Sequence, residues 1–169
     1  CKRLERPPME IVLYEPEIPG NTGNIARLCA ANHMTLHLIK PLGFAIDDKH
    51  VKRAGLDYWH LVDVQVHENI EELYAKYPDR RYFYATTKAS HTHSEVAYQL
   101  GDMLVFGPES RGLPEDLLTD HEESCIRIPM VDQARSLNLS NAVAIISYEA
   151  MRQLDYPDLK NVSTYLSSK

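Results

Sequence analysis

Hydrophobic and polar positions follow two different periods that alternate along the chain. Short apolar and β-branched runs predict strands, and the segments between them carry apolar residues at helical spacing. Strands are predicted at residues 10–14, 36–39, 61–66, 82–86, 103–106 and 125–128, and helices at residues 22–32, 47–54, 70–77, 114–118 and 139–154. Repeated strand–helix units of this length indicate an α/β fold with a parallel sheet that helices cover on both faces.

The length of 169 residues suits one domain with a substantial core. Residues 1–8 are basic and end in two prolines, so we interpret them as a disordered or foreign extension. Residues 9–156 form the predicted single domain, and residues 157–169 form a tail that we expect to be frayed. The chain has neither a secretory leader nor an apolar run of the roughly 18 residues that a membrane helix needs, which predicts a cytoplasmic protein without a membrane anchor.

The charge of the chain leaves nucleic-acid binding open. Eighteen basic and 24 acidic residues give a net charge of −6, which by itself counts against a nucleic-acid partner. Basic side chains nevertheless concentrate at residues 49–53, either as a binding patch or as a solvated helix face. The glycine-rich fingerprints of dinucleotide binding and of Walker-type phosphate loops are absent, so any nucleoside ligand is held in another way.

Two polar loops follow predicted strands at the edge of the sheet where α/β proteins bind ligands. Residues 21–27 read Asn-Thr-Gly-Asn-Ile-Ala-Arg and open a helix, so the free amides near residues 22–24 are expected to receive an anion, with Arg27 one turn further along. The alternative is an Asn-capped helix with a surface arginine. Residues 107–113 read Gly-Pro-Glu-Ser-Arg-Gly-Leu and place Glu109 at a strand end, either as a site residue or as a solvated turn residue.

A third polar loop, at residues 128–141, precedes the last helix. Four small polar side chains crowd the start of this helix although one cap needs a single residue, and Asn138 is the expected N-cap. The helix is apolar on one side and carries Ile145, Tyr148 and Arg152 in a stripe on another. A helix with two such sides is buried on both, which indicates a subunit interface or, alternatively, a wholly internal helix.

The remaining candidates for chemistry are weaker. Three cysteines, Cys1, Cys29 and Cys125, lack metal-like spacing and are expected to be buried reduced thiols. The pair His91 and His93 has no third ligand at a recognisable spacing, so a surface loop is predicted and no metal.

Taken together, the three loops resemble the motifs of the SPOUT class of RNA methyltransferases. The stretches Tyr-Glu-Pro-Glu-Ile-Pro at residues 14–19 and Arg-Ala-Gly-Leu-Asp-Tyr at residues 53–58 are similar to its minimal members, the tRNA wobble-position ribose 2′-O-methyltransferases. The resemblance implies a C-terminal trefoil knot and a homodimer formed through the last helix. It also implies methyl transfer from S-adenosylmethionine to the ribose 2′-hydroxyl of the wobble pyrimidine in the anticodon loop of tRNA.

The resemblance further assigns roles to residues of this chain. It implies a cofactor pocket formed by Ala85, Gly107, Ile128, Met130, Ser136 and Leu137. It implies catalytic roles for Arg27, Asn21, Glu109 and Asn138. Because a guanidinium barely deprotonates, we expect Arg27 to orient a phosphate and stabilise an alkoxide rather than to act as a simple base.

The contacts to RNA are predicted from basic side chains. The candidates are Lys40, Lys88, Arg111, Arg135 and residues 49–53, with Tyr148 near the subunit interface. Two alternatives remain open: a knotted methyltransferase acting on ribosomal RNA or another tRNA position, and a catalytically silent RNA-binding module.

Overall fold

The fold was determined as a computed structural model, which describes residues 7–47, 49, 53 and 59–168. The described residues form six strands: β1 (Met9–Tyr14), β2 (Thr35–Ile39), β3 (Val64–His67), β4 (Tyr82–Ala85), β5 (Asp102–Phe106) and β6 (Cys125–Ile126). The α-helices of the described residues are α1 (Pro19–Asn32), α2 (Ile70–Lys76), α3 (Glu115–Asp120) and α4 (Leu139–Gln153). Single 3₁₀ turns lie at Trp59–Leu61, His93–Glu95, Glu122–Ser124 and Leu166–Ser168.

The six strands form one sheet in the order β3-β2-β1-β5-β4-β6. Every strand pairing is parallel, with β1 lying between β2 and β5 at its centre. The carboxyl ends of the strands therefore share one edge, and the loops that leave them are neighbours in space. The predicted α/β class with a parallel sheet is confirmed.

Both faces of the sheet are covered. Side chains alternate between the two faces along β1, so Ile11 and Leu13 enter one core and Val12 enters the other. The first core lies beneath α1 and α4, which contribute Ile25 and Ile146. The second core lies beneath α2 and α3. Burial on both sides explains why the central strands are almost continuously apolar.

Two predicted boundaries are wrong. Helix α1 begins at Pro19, three residues before the predicted start, because a proline fits the first helical position and its missing N–H costs nothing there. Strand β3 begins at Val64 rather than at residue 61, because Trp59–Leu61 form a 3₁₀ turn. The other strand and helix predictions on described residues agree with the structure to within two residues.

Of the remaining predictions, one falls mostly outside the described residues and one is confirmed. The helix predicted at residues 47–54 lies mostly outside the described residues, as do Cys1 and the rest of residues 1–6. Cys29 and Cys125 are buried free thiols, as predicted. Burial raises the pKa of each thiol and so keeps it protonated.

Part of the predicted C-terminal tail packs against the domain, and part of it is exposed. Within the tail predicted to be frayed, Leu159 packs against the first core beside Tyr156. Further along, Val162 and Leu166 are largely exposed. No helix among the described residues is both long and apolar enough to cross a membrane.

A buried polar chain crosses the sheet on the side covered by α2. The Glu10 carboxylate lies 2.8 Å from His37 Nε2 and also accepts a hydrogen bond from Arg80. His37 Nδ1 lies 3.0 Å from His67 Nε2. These contacts give each buried polar group a partner, which offsets the free-energy cost of its burial.

Candidate functional site

Three loops enclose a cavity of about 530 Å³ at the carboxyl edge of the sheet. One loop follows β4, the second follows β5 and the third joins β6 to α4, and the start of α1 closes the remaining side. The cavity therefore lies where parallel α/β sheets bind ligands. Segments more than a hundred residues apart in sequence meet there.

The loop after β5 is bent back on itself. A Cβ atom on Gly107 would lie 2.3 Å from the backbone nitrogen of Leu113, so only glycine fits at this close approach. Gly112 has a φ of +71°, in the left-handed region that favours glycine. These two glycines place Glu109 and Ser110 at the exposed tip of the loop, facing α1.

Glu109 binds the start of α1. Its carboxylate accepts the backbone N–H groups of Glu17 at 2.9 Å and Ile18 at 2.8 Å, and the Asn21 side-chain amide at 3.2 Å. A carboxylate is favourable here because the helix dipole leaves positive charge at the N-terminus. Glu109 thus caps α1 from a loop that lies about 90 residues further along the chain.

The anion site expected at residues 22–24 is therefore not present as predicted. Because α1 starts earlier, the Thr22 N–H already donates to the Ile18 carbonyl within the helix. The exposed amides that precede the helix donate instead to Glu109. The positive end of α1 is neutralised by the protein's own carboxylate.

The Glu17 side chain, in turn, binds the loop that carries Glu109. Its carboxylate accepts the backbone N–H of Ser110 at 2.8 Å and the Ser110 hydroxyl at 2.9 Å. These hydrogen bonds from Ser110, aided by Arg111, lower the pKa of Glu17. Arg111 also donates to Glu15 at 2.7 Å.

Asn138 links the loop that precedes α4 to the start of α1. Its side-chain oxygen accepts the backbone N–H groups of Ser140 and Asn141, which confirms the predicted N-cap of α4. Its side-chain nitrogen donates to the Asn21 oxygen at 3.4 Å. Glu109, Asn21 and Asn138 thus form one hydrogen-bonded chain that joins the loop after β5, the start of α1 and the loop before α4.

The structure brings most of the predicted site residues together. All six residues of the predicted cofactor pocket line the cavity, and so do three of the four predicted catalytic residues: Ala85, Gly107, Ile128, Met130, Ser136, Leu137, Asn21, Glu109 and Asn138. Arg27 does not line it. This arginine lies exposed on α1, beyond the helix turn that carries Asn21. The roles of these residues stay predictions.

Cationic side chains lie at the rim of the cavity. Lys88 donates to Glu115 at 2.5 Å, and this contact lowers the pKa of the Glu115 carboxyl. Arg127 donates to the Thr87 carbonyl at 3.0 Å. Arg135 lies on the exposed third loop beside these groups. The rim is accordingly suited to an anionic ligand or polymer.

The sequence did not identify part of the site. Thr86 and Thr87 line the cavity after β4, and Glu17 and Ser110 fix its loops. Glu17 belongs to the stretch at residues 14–19 that carries part of the resemblance, directly before the Ile-Pro that opens α1, but no role was predicted for it. Within the described part of the chain, no three His, Cys, Asp or Glu side chains are grouped to hold a metal ion.

Comparison with known proteins gives consistent matches over most of the chain. Residues 8–148 match the model of the SpoU rRNA Methylase family. A Methylovorus glucosotrophus (strain SIP3-4) protein named tRNA (cytidine(34)-2'-O)-methyltransferase is 55% identical over 148 residues, which cover 87% of this chain and 96% of the relative.

Solved structures match as well. One that concerns the 2-OH methylation of C/U34 on tRNA has a TM-score of 0.83 and 44% identity, and the match covers 87% of this chain and 96% of that one. The AdoMet-bound rRNA methyltransferase of Sinorhizobium meliloti shares the fold, with a TM-score of 0.78 and 23% identity over 89% of this chain and 58% of its own. The chain belongs to the SpoU rRNA Methylase family.

Proposed function

We propose that this protein transfers the methyl group of S-adenosylmethionine to the ribose 2′-hydroxyl of the wobble pyrimidine in tRNA. The observation that carries the proposal is the convergence of the three motif-bearing segments on one cavity, which Asn21 of α1, residues 107–113 and the loop before α4 line together. The family match supports methyl transfer to RNA, and the name of the 55%-identical relative supports the wobble ribose of tRNA as its target. The proposal therefore rests on geometry and on sequence relationship together.

The cavity fits the cofactor in size and in chemistry. Its volume of about 530 Å³ lies within the roughly 300–1,000 Å³ of pockets that enclose small ligands. Ile128, Met130 and Leu137 offer apolar contact for a purine ring, and the backbone near Ala85 and Gly107 offers polar groups for its edges. When bound, the cofactor supplies an electrophilic methyl group on a positively charged sulfur.

The residues of the chain supply binding and charge stabilisation. Asn21 and Asn138 are held in a fixed orientation by their mutual hydrogen bond, so their amides present preset polar groups to the cavity. We assign to Arg27, which lies exposed on α1 outside the cavity, the task of orienting a substrate phosphate and stabilising the alkoxide that forms as the 2′-hydroxyl gives its proton to that phosphate or to water. This role suits a guanidinium, which stays protonated and donates through a planar fork.

The anticodon loop of tRNA meets the basic rim of the cavity. Lys88 and Arg111 are paired with carboxylates at the surface, whereas Arg135 lies exposed on the third loop. Phosphates compete with these surface carboxylates for the cations, because exposed ion pairs are worth little. Affinity for tRNA consequently falls steeply as the salt concentration rises.

The protein acts as a homodimer through α4, and its C-terminal part carries the knot typical of its class. Ile145 and Tyr148 are 41% and 42% exposed although they lie on a helix whose other side is fully buried. An apolar stripe of this kind on a structured helix is suited to a second copy of the chain. The cytoplasm is the expected location, since tRNA is the substrate.

A methylation assay tests the proposed function. The purified protein is incubated with labelled S-adenosylmethionine and total tRNA, and the modified nucleosides are then mapped. We expect label on the 2′-oxygen of a pyrimidine at the first anticodon position. Label on a base, at another position or in ribosomal RNA alone would contradict the proposal, and its complete absence would favour a silent RNA-binding protein.

A further inference from the structure

Two acidic side chains exchange hydrogen bonds between the start of α1 and the loop after β5. Glu109 accepts the backbone N–H groups of Glu17 and Ile18, while Glu17 accepts the backbone N–H and the hydroxyl of Ser110. Each carboxylate therefore holds the backbone of the segment that carries the other. We refer to this reciprocal contact between Glu17 and residues 109–110 as the carboxylate clasp.

The clasp joins two walls of the cavity. Ile18 and Asn21 line one side, and Pro108 and Ser110 line the other. Glu17 itself does not line the cavity, so any effect of Glu17 on a ligand passes through the segments that it holds.

The backbone of Glu17 is held from behind as well. A Cβ atom on Gly43 would lie 2.8 Å from the Cα atom of Glu17, and the Gly43 N–H donates to the Pro16 carbonyl at 2.9 Å. The segment before α1 is therefore confined between the loop at Gly43 and the tip at Ser110. Such confinement fixes the distance between the cavity walls.

The hydrogen-bond donors around the Glu109 carboxylate indicate its role in the clasp. All three groups that donate to its carboxylate are N–H groups, from Glu17, Ile18 and Asn21. An ionised carboxylate only accepts, so it satisfies all three donors at once. The Glu109 carboxylate therefore serves as the acceptor that holds the start of α1.

We infer that Glu17 is a positioning residue of the cofactor cavity and that Glu109 acts as its counterpart in the clasp rather than as a proton-transfer group. The inference rests on the proposed function, because it takes S-adenosylmethionine as the ligand of the cavity. Without the clasp, the start of α1 and the loop after β5 are free to separate. Ligand binding then carries the entropic cost of ordering them, which weakens the affinity.

The two carboxylates respond differently to replacement by an amide. In Glu17→Gln, the amide oxygen still accepts the Ser110 N–H, and the new NH₂ group donates to the Ser110 hydroxyl, which is also an acceptor. In Glu109→Gln, the NH₂ group must face an N–H donor, because Glu109 has no hydroxyl partner. The clasp therefore survives the first change and not the second.

Calorimetric binding of S-adenosylhomocysteine tests the inference, with the full chain as the protein and the exposed Glu123→Ala as the control variant. We expect Glu17→Ala and Glu109→Gln to raise the Kd at least about tenfold, whereas Glu17→Gln and the control stay within about threefold of the wild type. In turnover assays, Glu17→Ala should raise the KM for S-adenosylmethionine while kcat at saturation changes by less than about threefold.

Defined outcomes overturn the inference. Unchanged affinity in Glu17→Ala contradicts it, and so does equal damage from Glu17→Ala and Glu17→Gln. A Glu109→Gln variant with normal affinity, low kcat and a flattened pH–rate profile would establish proton transfer instead. Should Glu17→Ala not fold, Glu109→Gln carries the test, and an unchanged Kd in that variant overturns the inference equally.

Failure of the clasp and failure of the proposed function are separable. A wild-type protein that does not bind S-adenosylhomocysteine contradicts the proposed function. A wild-type protein that binds it, together with variants that bind equally well, contradicts only the clasp.

Discussion

The Asn138 side chain donates a hydrogen bond of 3.4 Å to the side-chain oxygen of Asn21, which lies 117 positions earlier in the chain. The same Asn138 caps α4 through its side-chain oxygen. Asn138 thus caps α4 and also orients the side-chain amide of Asn21 in α1. The two tasks use different atoms, so substitutions can separate them.

Substitution of Asn138 tests this division. Asn138→Ala removes both tasks and is expected to lower the free energy of unfolding by about 1 kcal/mol and to reduce methyl transfer. Asn138→Asp keeps an acceptor for the helix cap but has no N–H for Asn21. We expect near-normal stability and low activity from this variant in urea unfolding and methylation assays. Full activity in Asn138→Asp would contradict a role for the Asn21 contact.

Gly107 is expected to tolerate no side chain. Because a Cβ atom would lie 2.3 Å from the Leu113 nitrogen, Gly107→Ala should destabilise the fold by about 2 kcal/mol or more and abolish cofactor binding. Gly20→Ala is the matched control, since its Cβ meets nothing within 4 Å in the first turn of α1. Thermal unfolding of the two variants measures the difference, and equal melting temperatures would contradict the close approach.

The exposed stripe of α4 predicts how the protein associates. In Tyr148→Asp, a charge replaces an aromatic ring that is 42% exposed in the single chain, so we expect the dimer to dissociate. Light scattering after gel filtration measures the mass. Val66→Asp, on the edge strand β3, is the control with a similarly exposed apolar residue and should remain dimeric. A dimeric Tyr148→Asp would place the interface elsewhere.

The buried His67 predicts a loss of stability in acid. Burial is the main cause that lowers its pKa, and the charges of His37 and Lys76 add to it. Between that lowered pKa and the ordinary value of about 6.5, the unfolded chain binds more protons than the folded one. The stabilisation is therefore complete above the ordinary value and is lost as pH falls through this window.

Urea unfolding at several pH values measures this effect. His67→Gln keeps an amide, which can donate or accept toward His37 Nδ1, without a titrating ring, so its stability should depend less on pH than that of the wild type. The exposed His91→Gln serves as the control and should retain the wild-type slope. A wild-type slope in His67→Gln would exclude His67 as the source.

Helix caps and strands were predictable where the residues that produce them are neighbours in the sequence. The N-cap at Asn138 follows from a polar side chain directly before an apolar helix, and the structure confirms it. Strand β5 follows from a compact apolar run bounded by Gly101 and Gly107. In each case, residues within one turn or one strand contain the whole signal.

The start of α1 was mispredicted because its cap is not local. The N-cap residue Ile18 makes no side-chain cap, and the capping carboxylate belongs to Glu109, far along the sequence. No pattern near Pro19 reveals that partner. The role of Glu17 was not predicted for the same reason, because its partner Ser110 lies 93 positions away.

The sequence by itself determined the α/β class, most element boundaries and the polar loops after β5 and before α4, because periodicity and capping act over a few neighbouring residues. Residues 21–27, predicted as a third loop, lie within α1. The tertiary structure alone decided which polar groups meet, since hydrogen bonds between distant segments depend on strand order and loop direction. It put Glu109 at the positive end of α1, left Arg27 outside the cavity and buried His37 between Glu10 and His67. Contacts of this kind arise only when the sheet brings the carboxyl ends of its strands to a common edge.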